Sequence, residues 1–339
     1  MSKKLDAQIV VVDEGSAQAK ATYFCRNTRT IVSKITPAMI GRDIDTDPVG
    51  NPLDNSYMAD GEEYCVSPDL QTPINTKRET YQTSTENRVL VHEALRLAGF
   101  GGQDVEIRVT LPITQYFYGD SHKRNDDLIK RKKQNLMQSV TNINGQPLAN
   151  IVDVKVAPES IPAWFDYALD DTGDWVGDLD DCQSVMVIDC GGTTTDLSIC
   201  NGVGTPRSRF SINKGVFDIA NELRTEMVAS GLAKTLPRAH LDNVLRTGTY
   251  RGKNCLDMIA KASRRVAAEI LDQMHSYQPD CKALEKILFV GGGAALIGED
   301  LAKEYGNSAN SHIPAEPDLS IARGLVKMQL AEELAEAEA

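Results

Sequence analysis

The chain of 339 residues is long enough for two domains or for one large α/β unit. Its content of 41% hydrophobic and 25% charged residues is that of a globular protein, which excludes a disordered, collagen-like or disulfide-stapled chain. The net charge of −12 repels a phosphate backbone and argues against broad direct binding of DNA.

The cysteines and the apolar segments indicate the compartment. The seven cysteines are scattered and form no C-x-x-C pair, which predicts reduced thiols rather than disulfides or a zinc site. The first apolar run ends at Asp13 and is too short for a signal peptide. No later stretch approaches the roughly 20 apolar residues that cross a membrane. We therefore expect a cytoplasmic protein without a membrane partner.

The first half of the chain alternates strand and helix patterns. Residues 8–13 are a β-branched apolar run that predicts a buried strand, and a turn leads to a second strand at 20–25. Residues 35–80 lack periodicity and are interpreted as an irregular insertion with short strands. The remaining predicted elements of this half are a helix at 85–98, a strand at 104–112, a charged helix at 124–140, a strand at 151–157 and a helix that opens within 158–169.

The opening pattern returns past the middle of the chain. Residues 184–200 again read as an apolar strand, a turn that contains Asp and Gly, and a second strand. Helices are predicted at 215–230 and 254–276, a strand that ends in three glycines precedes a helix near Leu296, and a last helix is predicted at 318–337. Two similar α/β halves predict a ligand site lined by the turns at the strand ends.

Three of these turns carry the groups that a nucleoside triphosphate requires. Glycine lets backbone N–H groups approach phosphates, lysine adds positive charge, and carboxylates hold magnesium. The residues concerned are Asp13, Gly15, Ser16 and Lys20 in the first turn, Asp189, Gly191, Gly192, Thr193 and Thr194 in the second, and Gly291, Gly292 and Gly293 in the third. Each turn alone is also common as a purely structural turn, so the prediction depends on all three occurring after apolar strands.

Other nucleotide-binding signatures are missing. The sequence contains no G-x-x-x-x-G-K-[ST], and no G-x-G-x-x-G opens a helix after a strand. A P-loop protein and a dinucleotide-binding fold are therefore disfavoured.

Five segments carry a resemblance to a known family. They are residues 110–117 (TLPITQYF), 130–136 (KRKKQNL), 154–164 (VKVAPESIPAW), 187–198 (VIDCGGTTTDLS) and 290–296 (VGGGAAL). In this order they resemble the actin, sugar-kinase and heat-shock-chaperone superfamily, and most closely its ParM/StbA plasmid-segregation actins. The resemblance implies an α/β fold of two similar actin-like domains, each with a mixed five-stranded sheet and helices, flanking a nucleotide cleft. Domain I would comprise residues 1–160 and 317–339, and domain II residues 161–316.

The resemblance also implies roles for the turn residues. Asp13 and Asp189 would lie near Mg²⁺, and Asp189 would also take part in hydrolysis. Gly15, Ser16 and Lys20 would contact the phosphates. The loop from Gly191 to Thr194 would contact phosphates as well, and the three glycines at 291–293 would contact the adenosine.

Glu159 is the remaining predicted catalytic residue. In the family that the chain resembles, this glutamate lies near the γ-phosphate and positions or activates the attacking water, which is a poor nucleophile without a hydrogen-bond acceptor. The alternative is an ordinary glutamate at a helix start, where the helix dipole favours a negative charge.

The implied function is a filament-forming, ATP-hydrolysing actin that segregates plasmid DNA. The expected nucleotide is ATP, converted to ADP, with GTP as an alternative. The expected partners are further copies of the chain and a DNA-binding, ParR-like adaptor on centromere-like DNA. A small-molecule kinase of the same superfamily and a cell-shape or organelle-positioning actin are the alternatives. The basic run at 130–133 is interpreted as a solvated or subunit-facing helix surface.

Overall fold

The computed structural model describes residues 7–15, 18–68, 70, 72–119, 121–306 and 309–338. The chain divides into two compact units, of which the first comprises Met1–Val176 with Ile321–Ala339 and the second Gly177–Ser320. Within the described residues, no helix has the length and apolarity that a membrane crossing needs.

A five-stranded mixed sheet forms the centre of the first unit. Its order is β3-β2-β1-β7-β9, with β1 Gln8–Glu14, β2 Gln18–Cys25, β3 Thr30–Pro37, β7 Asp104–Leu111 and β9 Asn150–Pro158. The first three strands are antiparallel neighbours, whereas β7 runs parallel to β1 and β9 parallel to β7. The apolar run that predicted β1 is fully buried at Val10, Val11 and Val12, as expected for a central strand.

The segment that was interpreted as an irregular insertion contains most of a second sheet. This sheet has the order β4-β6-β5-β8, with β4 Ile40–Gly41, β5 Ser56–Ala59, β6 Glu62–Val66 and β8 Thr141–Asn142. Ile40, Tyr57 and Tyr64 pack with Val89 and Leu90 in a separate hydrophobic cluster. The short strands were predicted, but their assembly with β8 was not, because that pairing joins residues far apart in sequence.

Helices accompany the sheets of the first unit. Their bounds are α1 Thr85–Leu97, α2 Ile113–Tyr116, α3 Asp126–Leu136, α4 Ile161–Ala168 and α9 Ser320–Glu338. The side chain of Ser84 accepts the N–H of Asn87 at 3.3 Å and caps α1, and Asn125 caps α3 by accepting from Leu128 at 3.2 Å. These caps explain why both predicted helices begin where they do.

The first compact unit extends past residue 160, where the sequence placed the end of the first domain segment. Helix α4 packs on α9, where Asp166 binds Arg323 at 2.9 Å and Lys327 donates to Leu169 O at 2.9 Å. Gly324 lies directly against the carbonyl of Pro162, so that even a Cβ would overlap it. This packing keeps α4 in the first unit, which therefore extends to Val176.

The second unit repeats the strand order of the first. Its sheet has the order β12-β11-β10-β15-β16, with β10 Val185–Cys190, β11 Thr195–Cys200, β12 Pro206–Ile212, β15 Lys286–Val290 and β16 Ser311–His312. Strands β10, β11 and β12 are antiparallel neighbours, β15 is parallel to β10, and β16 is parallel to β15. The internal repeat that the sequence indicated is thus present in the topology.

The helices of the second unit are α5 Val216–Ala229, α6 Arg238–Thr247, α7 Leu256–Tyr277 and α8 Ala294–Tyr305, and a hairpin of β13 Thr249–Tyr250 and β14 Lys253–Asn254 joins α6 to α7. Helix α6 was not predicted. It is short, and it buries only Leu241 and Val244. Gly248 ends α6 in the left-handed conformation, with a φ of 70°.

Candidate functional site

The turn after β1 brings two predicted residues into contact. Asp13 and Lys20 are direct partners in the antiparallel β1–β2 pair, and Lys20 Nζ lies 2.9 Å from Asp13 Oδ2. The spacing of seven residues therefore places both side chains at one position of the ladder. Gly15 lies in the turn, where a Cβ would come within 3.1 Å of Gln18 O. Ser16, also predicted for this site, lies outside the described residues.

Glu159 follows β9 at the same edge of the first sheet as Asp13. Strands β1, β7 and β9 run parallel, so their carboxyl ends meet at one edge. The N–H of Glu159 donates to Leu111 O at 2.8 Å, and the buried hydroxyl of Thr110 donates to Glu159 Oε1 at 3.3 Å. Helix α4 begins only at Ile161, so Glu159 precedes the helix rather than lying in its first turn.

Asp189 occupies the corresponding position of β10 in the second unit. It is 7% exposed and lies opposite Asp196 in the β10–β11 ladder. Asp196 accepts a hydrogen bond of 2.8 Å from Thr194 Oγ1, and burial raises the pKa of Asp196. Asp196 thus stabilises the hairpin through its contact with Thr194.

The loop between β10 and β11 leaves some of its amides without acceptors. The N–H of Gly191 donates to Thr194 O at 2.8 Å and closes the turn. The carbonyls of Gly191 and Gly192 accept the N–H groups of Val216 at 3.1 Å and Phe217 at 2.9 Å, at the start of α5. In contrast, the N–H groups of Gly192 and Thr193 donate to no acceptor in the described part of the chain. These half-exposed donors can bind an anion.

The triple-glycine turn packs directly on the β10 turn. Gly291 has a φ of +81°, and a Cβ there would overlap Asp189 Oδ1. A Cβ on Gly293 would lie 2.9 Å from Cys190 Cβ, and the N–H of Gly293 donates to Cys190 O at 2.8 Å. A Cβ on Gly292 would meet nothing within 4 Å. Two of the three glycines are therefore required by packing, and Gly292 is open to an approaching ligand.

Sequence reasoning missed several residues around these turns. Gly215 lies against the β10 turn so closely that a Cβ would come within 2.6 Å of Gly191 O. Lys132 belongs to the basic run that was interpreted as a solvated or subunit-facing surface, yet it is fully buried and forms an ion pair with Glu14. That interpretation was wrong for Lys132, because a helix whose surface is largely charged still turns one face inward. The only available sequence signal was the acidic neighbour of Asp13.

Among the described residues, no group of three or more His, Cys, Asp or Glu side chains could hold a metal by itself. Asp13 and Asp189 each supply carboxylate oxygens, the ligand type that Mg²⁺ prefers. The magnesium role of both residues stays a prediction.

Two family models match most of the chain. Residues 8–170 match the N-terminal model of the plasmid segregation protein ParM, and residues 187–303 match the C-terminal model of the archaeal actin homologue MreB-like. The chain thus resembles the ParM-like actin homologues. The resemblance and the two-domain α/β fold predicted from the sequence are confirmed.

Solved structures of actin homologues share the fold of this actin-like chain. A 15-stranded ParM filament from Clostridium botulinum is 16% identical, covers 97% of this chain and 100% of that chain, and has a TM-score of 0.70. An archaeal actin homologue in complex with ADP is 17% identical, with coverages of 96% and 99% and a TM-score of 0.71. Bacillus thuringiensis ParM with ADP is 13% identical, with coverages of 96% and 99% and a TM-score of 0.65. No curated protein sequence matches the chain.

Proposed function

We propose that this chain is an ATP hydrolase whose nucleotide state controls its assembly into filaments that segregate plasmid DNA. The observation that carries the proposal is the repeated strand–turn–strand element. Asp13 and Asp189 are each the last residue but one of the central strand in two sheets of the same order. Each unit thus carries an acidic turn at the same place in its sheet, and this repeat is the feature that supports a charged ligand such as magnesium-bound ATP.

The turn residues fit the phosphates and magnesium of ATP. The unpaired N–H groups of Gly192 and Thr193 would bind phosphate oxygens, with Thr194, Gly191, Gly15 and Ser16 completing these loops, and Lys20 would add positive charge. Asp13 and Asp189 would hold Mg²⁺, which neutralises charge on the phosphates when it is bound. The open position at Gly292, between Gly291 and Gly293, would let the nucleoside approach the backbone.

Glu159 is the proposed acceptor for the proton of the attacking water. It precedes the capping residue of α4 and accepts from Thr110 on the neighbouring strand, an arrangement that favours a site residue over a helix-start glutamate. A carboxylate within hydrogen-bond reach of water would orient it and accept its proton as the water oxygen bonds to the γ-phosphorus and the β–γ bridging oxygen leaves with ADP. Asp189 would assist through the metal.

The proposed partners are other copies of the chain and an adaptor. The filament structure from Clostridium botulinum has the same fold, which supports self-assembly. The net charge of −12 favours contact with DNA through a separate ParR-like, DNA-binding adaptor on centromere-like DNA. The proposed location is the cytoplasm, and GTP is a second nucleotide to be compared with ATP.

Sedimentation and light scattering with Mg²⁺ and ATP, GTP or ADP test the proposal. We expect assembly above a threshold concentration with a triphosphate, and release of phosphate that Asp189→Ala abolishes while the variant stays folded. Ser198→Ala, a buried position further along the same hairpin, is the matched control and should still hydrolyse ATP. A protein that stays monomeric and phosphorylates a sugar would instead be a small-molecule kinase. Filaments that bind neither plasmid DNA nor a DNA-binding adaptor would indicate a cell-shape or organelle-positioning actin.

A further inference from the structure

The residue after Glu159 has an unusual backbone conformation. Ser160 has a φ of 70° and a ψ of −57°, and the N–H of Ile161 donates to Glu159 O at 2.9 Å. These values describe a γ-turn with positive φ, a rare and strained conformation for a residue with a Cβ. Among the described residues, the other non-glycine positions with positive φ are exposed, whereas Ser160 is completely buried; those exposed residues are Arg29, Asp60 and Arg251.

Hydrogen bonds on both sides hold this turn in place. The N–H of Glu159 is fixed by Leu111 O, and its carbonyl is fixed by Ile161 N–H. The carbonyl of Ser160 accepts the N–H of Ala163 at 3.0 Å at the start of α4. The peptide groups around Glu159 are thus bound to β7 on one side and to α4 on the other. A strained backbone conformation is retained only when surrounding contacts stabilise it, as these hydrogen bonds do.

We propose that Ser160 is a positioning residue whose strained backbone directs the carboxylate of Glu159 towards the water that attacks ATP. This inference rests on the proposed function. The conformation matters rather than the hydroxyl, because Ser160 Oγ has no hydrogen-bond partner among the described residues. An extended residue at this position, the usual state before a helix, would lose the bond from Ile161 and rotate the Cα–Cβ bond of Glu159. Thr110 fixes the other end of the side chain through Glu159 Oε1.

Substitutions at residue 160, made with and without Glu159→Gln, test the proposal. Ser160→Val adds a β-branch that disfavours positive φ, and we expect kcat to fall about 10- to 100-fold while the Kd for ATP changes less than about twofold. Ser160→Gly accepts positive φ without a Cβ penalty and should retain more kcat than Ser160→Val, although it removes the whole side chain. Arg251→Val imposes the same backbone conflict on an exposed hairpin and should leave kcat unchanged.

The double variant separates positioning from general damage. If Ser160 acts through Glu159, Ser160→Val causes no further loss of kcat in the Glu159→Gln background. Equal losses in both backgrounds, or a parallel loss of ATP binding, would overturn the positioning role while leaving Glu159 catalytic. If the single variant Glu159→Gln hydrolyses ATP at the rate of the wild type, the role of Glu159 is overturned, and this inference is overturned with it. Should Ser160→Val not fold, Ser160→Thr carries the same β-branch with the hydroxyl retained and is read by the same criteria.

Discussion

The ammonium group of Lys132 contacts the carboxylate of Glu14 in the interior of the first unit. Neither side chain is more than 1% exposed, and the amide oxygen of Gln82 also accepts from Lys132. Glu14 directly follows Asp13, so this ion pair ties helix α3 to the strand end that carries a predicted magnesium ligand. Burial raises the pKa of Glu14, and the positive charge of Lys132 opposes that rise.

Lys132→Met tests how much the fold depends on this ion pair. Removing one partner leaves an uncompensated buried charge, so we expect a loss of about 3–5 kcal/mol in the free energy of unfolding. The exposed Lys130, on the same helix, is the matched control, and Lys130→Met should change stability by less than about 0.5 kcal/mol. Glu14→Leu combined with Lys132→Met should recover part of the loss. Urea unfolding measures all four proteins, and similar stabilities of the two lysine variants would contradict the prediction.

Gly324 and Gly298 predict opposite responses to the same substitution. Alanine in a helix interior is ordinarily more stable than glycine by about 1 kcal/mol. A Cβ on Gly324 would overlap the carbonyl of Pro162, whereas a Cβ on Gly298 would meet the flexible end of Ile313 at 3.3 Å. We expect Gly324→Ala to separate α9 from α4 and to lower the melting temperature, and Gly298→Ala to be near neutral. Equal melting temperatures of the two variants would show that α9 can move away from α4 without a loss of stability.

Substitutions at the three glycines of the third turn should separate effects on stability from effects on nucleotide binding. Gly291→Ala meets both a positive φ and the carboxylate of Asp189, and Gly293→Ala meets Cys190, so both should destabilise the protein by about 1–3 kcal/mol. Gly292→Ala should leave the unfolding free energy within about 0.5 kcal/mol and weaken nucleotide binding. Denaturant unfolding and titration with a fluorescent ATP analogue measure the two effects. Unchanged affinity in Gly292→Ala would remove this turn from the proposed nucleotide site.

His92 predicts a pH dependence of stability. Its ring is buried, has no hydrogen-bond partner among the described residues, and its pKa is lowered from 6.5 to about 4 by burial and by the charge of Arg88. Because the folded pKa is the lower one, the unfolded chain binds the proton more readily between these values. The contribution of His92 to the free energy of unfolding is therefore fully present above pH 6.5. It is lost as the pH falls towards 4, by about 3 kcal/mol in total.

Unfolding of the wild type and of His92→Leu across this pH range measures the effect of His92. The difference in unfolding free energy between the two proteins should change in favour of the leucine variant as the pH is lowered. A difference that stays constant from pH 7 to about pH 4.5 would show that His92 titrates alike in the folded and unfolded chain.

Much of the fold was predictable because its signals are local. The apolar runs before Asp13 and before Asp189 predicted buried strands, and the duplicated turn chemistry predicted two similar sheets. The contact between Asp13 and Lys20 depends on the register of the β1–β2 ladder, which their spacing alone does not fix. Helix α6 escaped prediction because it spans only ten residues and buries only two side chains.

The sequence by itself determined which chemical groups stand at the strand ends, because strand runs and glycine turns are properties of neighbouring residues. Only the tertiary structure decided how those groups are used. It placed Lys132 in the interior beside Glu14, it gave Ser160 a strained turn, and it made Gly291 a packing requirement while leaving Gly292 open. Each of these outcomes depends on side chains from distant parts of the chain that meet only when the sheets and helices pack together.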